Sequence, residues 1–304
     1  MSRVRVAFVG AGVVGTTLAG LLAANDRYSV LGFSSRTPRS AATAAERVGA
    51  GSAVEDPVDL TSTADLIFIT TPDDAIGDVA RDITSRGGVR RGAVLAHCSG
   101  LLTSEVLKGH HGDYGAVSLH PLQAFADYET AKGLMPDSMF VIEGDERGRS
   151  AAVNVVESVG ARYHIINPEA KSLYHAAAAV ASNYLVVLLE MALVMNERAG
   201  IPRDTAMDGL YSLLTGTLRN VRDRGTAGAL TGPIARGDLG TVQKHLESLE
   251  DDQRLSDLYR RLGAVAVELT VLKGTVPHDR ADEMKHLLIG GTHGEFESTA
   301  DDRH

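Results

Sequence analysis

The 304-residue chain lacks the features that mark several large classes of protein. Its single cysteine, Cys98, excludes an internal disulfide and suits a reducing cytoplasm, where we expect the protein. The net charge is -9 and no cluster of Lys and Arg stands out, which argues against nucleic acid or an anionic membrane as the main partner. The histidines are scattered apart from the pair His110–His111, and no metal-ligand spacing occurs, so we predict no required metal.

Internal repeats and low-complexity tracts are also missing, and the apolar run at the N-terminus is too short to span a membrane. The remaining composition, 44% hydrophobic and 23% charged residues, is typical of a soluble globular protein. A chain of this length suffices for one large or two ordinary domains with a substantial core.

The N-terminal segment carries the most specific pattern in the chain. An apolar strand, Val4–Val9, runs directly into Gly10-x-Gly12-x-x-Gly15, and an apolar helix follows over Thr16–Ala24. The first glycine permits a tight turn, the second lets the backbone approach a pyrophosphate, and the third lets helix and strand pack closely. The N–H groups and the positive dipole end of the helix favour an anion. We therefore predict a dinucleotide site that includes Gly10, Gly12, Val13, Val14 and Gly15.

The end of the second predicted strand indicates which nicotinamide cofactor binds. An NAD site usually places Asp or Glu there, on the ribose hydroxyls. The segment in this chain is Ser34-Ser35-Arg36-Thr37, and no carboxylate lies between Arg27 and Ala45. Hydroxyls and a guanidinium suit a 2′-phosphate, which Arg36 can bind bidentately with help from Arg39. We therefore predict NADP rather than NAD.

Strands and helices alternate up to about residue 166, which predicts an α/β fold with an open, mostly parallel sheet covered by helices on both faces. The predicted strands are Val4–Val9, Tyr28–Phe33, Asp65–Thr70, Ala93–Cys98, Ala116–Leu119, Met139–Glu143 and Tyr163–Ile166. The third strand ends at Thr71 and Pro72, which we expect to lie against the cofactor. Asp73 or Asp74 is predicted to cap the next helix.

The pattern becomes helical after Pro168. The predicted helices are Pro168–Ala199, Pro202–Arg222, Leu239–Leu249 with Asp238 as its cap, and Arg254–Leu272. We therefore predict a Rossmann-like NADP-binding domain over 1–166, an all-helical substrate and dimerisation domain over 167–290, and a flexible tail over 291–304. A substrate is expected to bind between an α/β nucleotide domain and a helical domain of this kind.

Five later motifs occur together, in one order: His97-Cys98-Ser99-Gly100, Ser118-Leu119-His120-Pro121-Leu122-Gln123, Tyr174–Ala178, Ala181-Ser182-Asn183 and Thr231–Asp238. With the glycine turn, they make the chain resemble the Rossmann-like oxidoreductases that carry the helical domain of unknown function (DUF) 2520. That family is similar in plan to 6-phosphogluconate, 3-hydroxyacid, ketopantoate and pyrroline-5-carboxylate reductases or dehydrogenases. The resemblance implies NADP-linked redox chemistry and leaves the substrate open. It makes ketopantoate the first substrate to test.

Two polar residues follow strands at the edge where a nicotinamide would lie. Ser99 comes after the fourth strand and His120 after the fifth, and we predict that both contact substrate. The segment around His120 also resembles the His-Pro segment of prephenate dehydrogenases. His97 is interpreted as packing, and Cys98 as a buried apolar residue.

One stripe of the long predicted helix carries polar residues on an otherwise apolar sequence. The positions on this stripe are Lys171, His175, Ala179, Ser182, Asn183 and Val186. The related 3-hydroxyacid and ketopantoate enzymes place a catalytic Lys and a nearby Asn on the equivalent helix. In this chain the Lys-x-x-x-Asn pattern becomes Lys171-x-x-x-His175, so either residue is a candidate proton donor. We favour His175 because a histidine side chain is in general suited to proton transfer near neutral pH. Asn183 is predicted to orient the substrate, with Ser182 beside it.

The segment Thr231–Asp238 is a third candidate. Arg236 lies between two glycine-containing turns and is predicted to pair with a substrate carboxylate or phosphate, although the segment can also be a simple interhelical turn. The helical domain of such enzymes commonly dimerises. The apolar segment Ala176–Val194 suits a subunit interface or a core helix, and we expect a homodimer.

The sequence thus predicts an NADPH-dependent oxidoreductase that reduces the C=O, or the C=N, of a small anionic substrate such as a 2-oxo acid. Three alternatives stay open: an imine reductase of the pyrroline-carboxylate type, a prephenate-dehydrogenase-like enzyme, and a non-catalytic NADP-binding redox sensor. A deazaflavin cofactor is a further alternative to NADP.

Overall fold

The computed structural model describes residues 2–109 and 112–290. The pair His110–His111 and the predicted tail over 291–304 lie outside the described residues. The chain forms two compact units, one up to Leu185 and one from Val186. This division places the helix that begins at Lys171 with the sheet, later in the chain than the domain boundary predicted after Ile166.

The first unit is built on one sheet of eight strands in the order β3-β2-β1-β4-β5-β6-β7-β8. The strands are β1 (Val4–Val9), β2 (Tyr28–Ser34), β3 (Ser52–Val54), β4 (Leu66–Ile69), β5 (Val94–His97), β6 (Gly115–Pro121), β7 (Met139–Gly144) and β8 (Arg162–Ile165). Every neighbouring pair is parallel except β6 and β7, which are antiparallel. The predicted α/β fold with a mostly parallel sheet is confirmed, while the short β3 was not predicted.

Helices follow most of these strands. They are α1 (Val13–Ala23), α2 (Pro38–Val48), α3 (Val58–Thr61), α4 (Asp73–Ser85), α5 (Tyr128–Leu134), α6 (Glu146–Ser158) and α7 (Lys171–Ala181). The central strands are buried on both faces, and successive side chains enter opposite cores. Phe8 and Phe68 stack on one face with ring centroids 5.2 Å apart, and Ile67 and Ile69 lie in the core on the other.

The glycine turn lies where the strand order changes direction, between β1 and β4. A Cβ on Gly10 would lie 2.5 Å from the carbonyl carbon of Thr70, and its φ of +111° favours glycine. A Cβ on Gly15 would lie 2.2 Å from Thr70 Oγ1. Both glycines therefore let the turn and α1 pack directly on the end of β4.

Two predicted boundaries were wrong. Strand β6 does not stop at Leu119, because pairing with β7 carries it on through His120 and Pro121, opposite Val141 and Phe140. The single helix predicted over Pro168–Ala199 is a 3-10 turn at Pro168–Ala170, then α7, then α8 (Asn183–Arg198). Its break lies at Ser182, the C-terminal cap of α7, whose φ of -111° departs from the usual helical value.

The second unit is helical. Its helices after α8 are α9 (Arg203–Ala229), α10 (Gly232–Ala235), α11 (Leu239–Glu247), α12 (Gln253–Lys273) and α13 (His278–Ile289). Asp238 caps α11, as predicted, by accepting a hydrogen bond from the Thr241 N–H at 3.0 Å. Gly225 interrupts the unexpectedly long α9, and α13 was not predicted.

Candidate active site

Backbone and side-chain groups at the carboxyl ends of β1 and β4 are free to bind a ligand. A Cβ on Gly12 would meet only the Thr70 carbonyl oxygen, 3.9 Å away, so the space above this residue is open. Val13 and Val14 begin α1, and no side chain caps their turn. Thr71 Oγ1 is buried and has no hydrogen-bond partner within the described ranges, and the exposed Pro72 precedes α4.

A cavity of about 250 Å³ adjoins this turn. It is lined by Ala11, Thr16, Thr37, Arg39, Ser40, Thr43, Ala44 and Arg47. Arg36 is exposed and does not line it, and Ser35 is half-buried. The buried Ser34 hydroxyl donates instead to the Glu55 carbonyl at 3.3 Å. The structure therefore brings Arg39, rather than the predicted Ser34 and Arg36, to the cavity beside the glycine turn.

Ser99 lies just after β5 and uses its hydroxyl inside the protein. The hydroxyl donates to Asp73 Oδ2 at 2.6 Å and accepts from the N–H groups of Leu101 and Leu102 at 3.2 and 3.0 Å. These bonds fill the donor and both acceptor positions of a hydroxyl. Neither Asp73 nor Asp74 caps α4 as predicted, because Pro72 occupies the cap position and Asp73 binds Ser99.

His97 holds the backbone of the same turn after β5 by two hydrogen bonds. Its Nδ1 accepts from the Ser99 N–H at 3.1 Å, so its Nε2 carries the proton and donates to the Thr103 carbonyl at 3.1 Å. The ring is completely buried, and this burial lowers the pKa of His97 to about 4. His97 is thus a neutral, structural imidazole, in agreement with its interpretation as packing.

Lys171 is buried under the ends of β5 and β6, with only 1% of its surface exposed. Its Nζ donates to the Ser99 carbonyl at 3.0 Å and to Ser118 Oγ. Ser118 Oγ in turn donates to the same carbonyl at 3.2 Å. Burial lowers the pKa of Lys171 to about 8, although the nearby Glu143 opposes the shift. Although Lys171 lies in the first turn of α7, its side chain is therefore not exposed to solvent.

Ser118 and Glu143 were not predicted as site residues. They are paired across β6 and β7, and both are buried. Glu143 accepts from the Ser104 N–H at 2.7 Å and from the Ser104 hydroxyl at 2.8 Å. The only signal in the sequence was a charged or polar residue within an apolar strand, which needs a partner when it is buried.

Three half-buried aromatic side chains, His120, Tyr174 and His175, lie next to this cluster. His120 Nδ1 lies 2.7 Å from Tyr174 Oη. The rings of His120 and His175 meet edge to face with centroids 6.2 Å apart. His175 Nδ1 is buried and has no partner among the described residues. Burial, with repulsion from Lys171 and His175, lowers the pKa of His120 to about 4.

Gly100 marks the point on which the two imidazoles converge. A Cβ there would lie 2.5 Å from His175 Nδ1 and 3.0 Å from His120 Nε2. The φ of Gly100 is not in the left-handed region, so the close approach of the rings, rather than the backbone, requires glycine. The predicted His175 and His120 are therefore brought together, above the turn that Ser99 and His97 hold.

Three further residues were predicted as substrate contacts: Ser182, Asn183 and Arg236. Ser182 and Asn183 are exposed at the break between α7 and α8. Their stripe was predicted from one straight helix, and the break ends the regular spacing. In the second unit, Arg236 is exposed at the end of α10.

The comparisons with known proteins agree with this architecture. A profile of a Rossmann-like domain matches residues 1–121, and a profile of the domain of unknown function DUF2520 matches residues 138–266. The chain joins a Rossmann-like domain to a DUF2520 domain. This confirms the resemblance stated from the motifs. No protein of curated function matches the sequence.

Solved structures extend the likeness over most of the chain. A Thermotoga maritima protein is 27% identical, with a TM-score of 0.71, over 88% of this chain and 99% of its own. A Bacteroides fragilis protein described as an NADP oxidoreductase is 24% identical, with a TM-score of 0.70, over 87% and 98%. Plasmodium falciparum pyrroline carboxylate reductase, solved with NADP bound, is 15% identical with a TM-score of 0.54, over 94% and 99%. At such identities the last two show the shared fold.

Proposed function

We propose that the protein is an NADP-dependent oxidoreductase that reduces a C=O or C=N bond of a small substrate at the carboxyl edge of its sheet. The observation that carries this proposal is the convergence of His120 and His175 above Gly100. A reductase needs a group that donates a proton or a hydrogen bond to the atom that gains negative charge, and an imidazole N–H can take that position. The NADP oxidoreductase and the NADP-bound reductase of the same fold support the cofactor.

The residues at the glycine turn fit such a cofactor. The open space above Gly12 and the uncapped start of α1 would hold the pyrophosphate, and the unpaired Thr71 Oγ1 supplies a further bond. Arg39 would bind the 2′-phosphate in the adjoining cavity. When bound there, NADPH would supply the hydride.

Within the cluster we assign the transferred proton to His175, with the neutral His120 as a hydrogen-bond donor beside it, and not to Lys171. Lys171 Nζ is buried and already donates to Ser99 and Ser118, so its ammonium holds the turn and keeps a positive charge beneath it. His175 Nδ1 and His120 Nε2 both lie beside Gly100, and His175 Nδ1 has no hydrogen-bond partner among the described residues. The predicted substrate contacts at Ser182, Asn183 and Arg236 stay predictions, and a 2-oxo acid remains the first substrate class to test.

The decisive experiment follows NADPH oxidation with a panel of 2-oxo acids, including ketopantoate, and of cyclic imines. Gly100→Ala places a methyl group against both rings and is expected to lower kcat about 100-fold while NADPH still binds. Gly209→Ala, at a helical glycine with no neighbour within 4 Å, is the matched control. NADPH binding without oxidation of any member of the panel would favour the redox-sensor alternative.

We also infer that a second copy of this chain covers the exposed apolar face of α7 and α8. Leu173 is 77% exposed and Val186 is 68% exposed. The segment Pro168–Arg198 is long and apolar enough to cross a membrane. A membrane is disfavoured because Lys171 packs on the sheet and Glu190, on α8, contacts Arg203. We therefore favour a cytoplasmic homodimer.

Light scattering on the purified protein tests this inference. The wild type is expected to have twice the chain mass, and Val186→Glu to shift toward one chain mass. Met139→Glu replaces an exposed apolar residue on the sheet and is expected to leave the mass unchanged. A wild-type mass of one chain would overturn the homodimer.

A further inference from the structure

We propose that Tyr174 is a positioning residue that fixes the proton of His120 on Nε2, so that His120 presents an N–H to the reacting group. The proposal extends the proposed function, because it gives His120 the role of hydrogen-bond donor beside His175. Tyr174 stood in a motif of the sequence, but no role was predicted for it. Its contact with His120 joins α7 to β6.

The distance and the chemistry of the two groups set the direction of the hydrogen bond between Tyr174 and His120. Tyr174 Oη and His120 Nδ1 are 2.7 Å apart, and the rings meet edge to face at 78°. A phenol is a better donor than an imidazole N–H, and an imidazole nitrogen is a better acceptor than a phenol oxygen. Burial raises the pKa of Tyr174 to about 12, which keeps its proton in place. Tyr174 therefore donates to Nδ1, and the proton of the neutral His120 ring lies on Nε2.

The same helix places His175 on the other side of the His120 ring. Tyr174 and His175 are consecutive, so their side chains leave α7 about 100° apart. One reaches Nδ1 of His120, and the other brings His175 Nδ1 close to His120 Nε2 beside Gly100. No hydrogen bond within the described ranges involves His120 Nε2, which leaves its N–H for a substrate atom.

The charged groups around the ring favour this neutral form. Lys171 repels a second positive charge on the ring, His175 adds to the repulsion, and the carboxylate of Asp73 opposes both. A neutral ring has one N–H, and the nitrogen that carries it is decided by Tyr174. Without the phenol hydroxyl, nothing in the described structure distinguishes the two tautomers.

Long-range ¹⁵N–¹H NMR of the full chain, without cofactor or substrate, measures the tautomer directly. His120→Gln identifies the His120 signals. We expect the wild type to show an unprotonated Nδ1 and a protonated Nε2, and Tyr174→Phe to show a mixture. An Nδ1–H tautomer in the wild type, or an unchanged tautomer in Tyr174→Phe, would overturn the proposal.

The chain offers a matched control for the variant. Tyr259 Oη lies 2.8 Å from Nδ1 of the exposed His245 in the second unit, with the rings also edge to face. We expect Tyr174→Phe to lower kcat about tenfold or more and leave the KM for NADPH unchanged, whereas Tyr259→Phe leaves kcat unchanged. If no substrate is turned over, the proposed function fails while the NMR result still decides the role of Tyr174.

Discussion

Lys171 Nζ donates a hydrogen bond to the carbonyl oxygen of Ser99, 3.0 Å away, across 72 residues of sequence. This contact ties the first turn of α7 to the end of β5. The turn after β5 carries Gly100, and α7 carries His175, so the contact sets the distance between the two. A buried cation thus serves both as a clamp and as the local source of positive potential.

The charge of Lys171 is expected to act on His120. Lys171→Met removes a repulsion that helps burial to lower the pKa of His120, so that pKa should rise from about 4 while remaining below its ordinary value. Lys171→Arg keeps the charge and serves as the control. NMR titration of the His120 ring measures the shift, and an unchanged pKa in the methionine variant would contradict the coupling.

Acid is expected to unfold the protein through its buried histidines. The pKa of His97 is about 4 in the folded chain, below about 6.5 in an unfolded one. The unfolded state therefore gains a proton as the pH falls below about 6.5, and the folded state does not until about 4. The stability present above this window is lost as the pH falls through it, by up to about 3 kcal/mol for His97.

Urea unfolding from pH 7 to pH 4 checks this expectation. His97→Gln keeps a side-chain donor but cannot titrate, so its free energy of unfolding should fall less steeply with acid than that of the wild type. His120, whose pKa is lowered to about 4 as well, contributes in the same window. If the free energies of unfolding of the wild type and His97→Gln fell in parallel with pH, the pKa of His97 would not be lowered in the folded protein.

The sequence predicted what depends on local pattern. Continuous apolar runs predicted the buried strands, and the glycine spacing predicted the turn that packs on Thr70. The sequence alone could not predict the pairing between distant strands. His120 is held within β6 only because β7 pairs beside it. The use of the Ser99 hydroxyl by Asp73, and the burial of Lys171 against Ser118, likewise depend on contacts between distant segments.

Gly12→Ala tests the glycine turn as a ligand site. Its added Cβ has no protein atom closer than 3.9 Å, so the melting temperature should not change. The same methyl group would occupy the space through which a pyrophosphate approaches the backbone, and NADPH affinity should fall about tenfold or more. Titration by intrinsic nucleotide fluorescence measures the affinity, with Gly209→Ala as control. Unchanged affinity would remove this turn from the cofactor site.

Arg39 and Arg36 test how the cofactor is selected. Arg39 lines the cavity beside the turn, and Arg36, the residue predicted from the sequence, is exposed outside that lining. Arg47, which also lines the cavity, already lies over the Tyr128 ring. A charge-assisted bond to a 2′-phosphate contributes about 1.5–3 kcal/mol. Arg39→Ala should therefore weaken NADPH binding about 10- to 100-fold and NADH binding little.

Arg36→Ala is the matched comparison, since it removes the same charge three positions earlier in the chain. We expect its effect on NADPH to be smaller than that of Arg39→Ala, because the structure brings only Arg39 to the cavity. Binding of both nucleotides to both variants separates the cases. Equal losses of NADPH and NADH in Arg39→Ala would mean that the guanidinium does not bind the 2′-phosphate. A larger selective loss in Arg36→Ala would return that role to the residue predicted from the sequence.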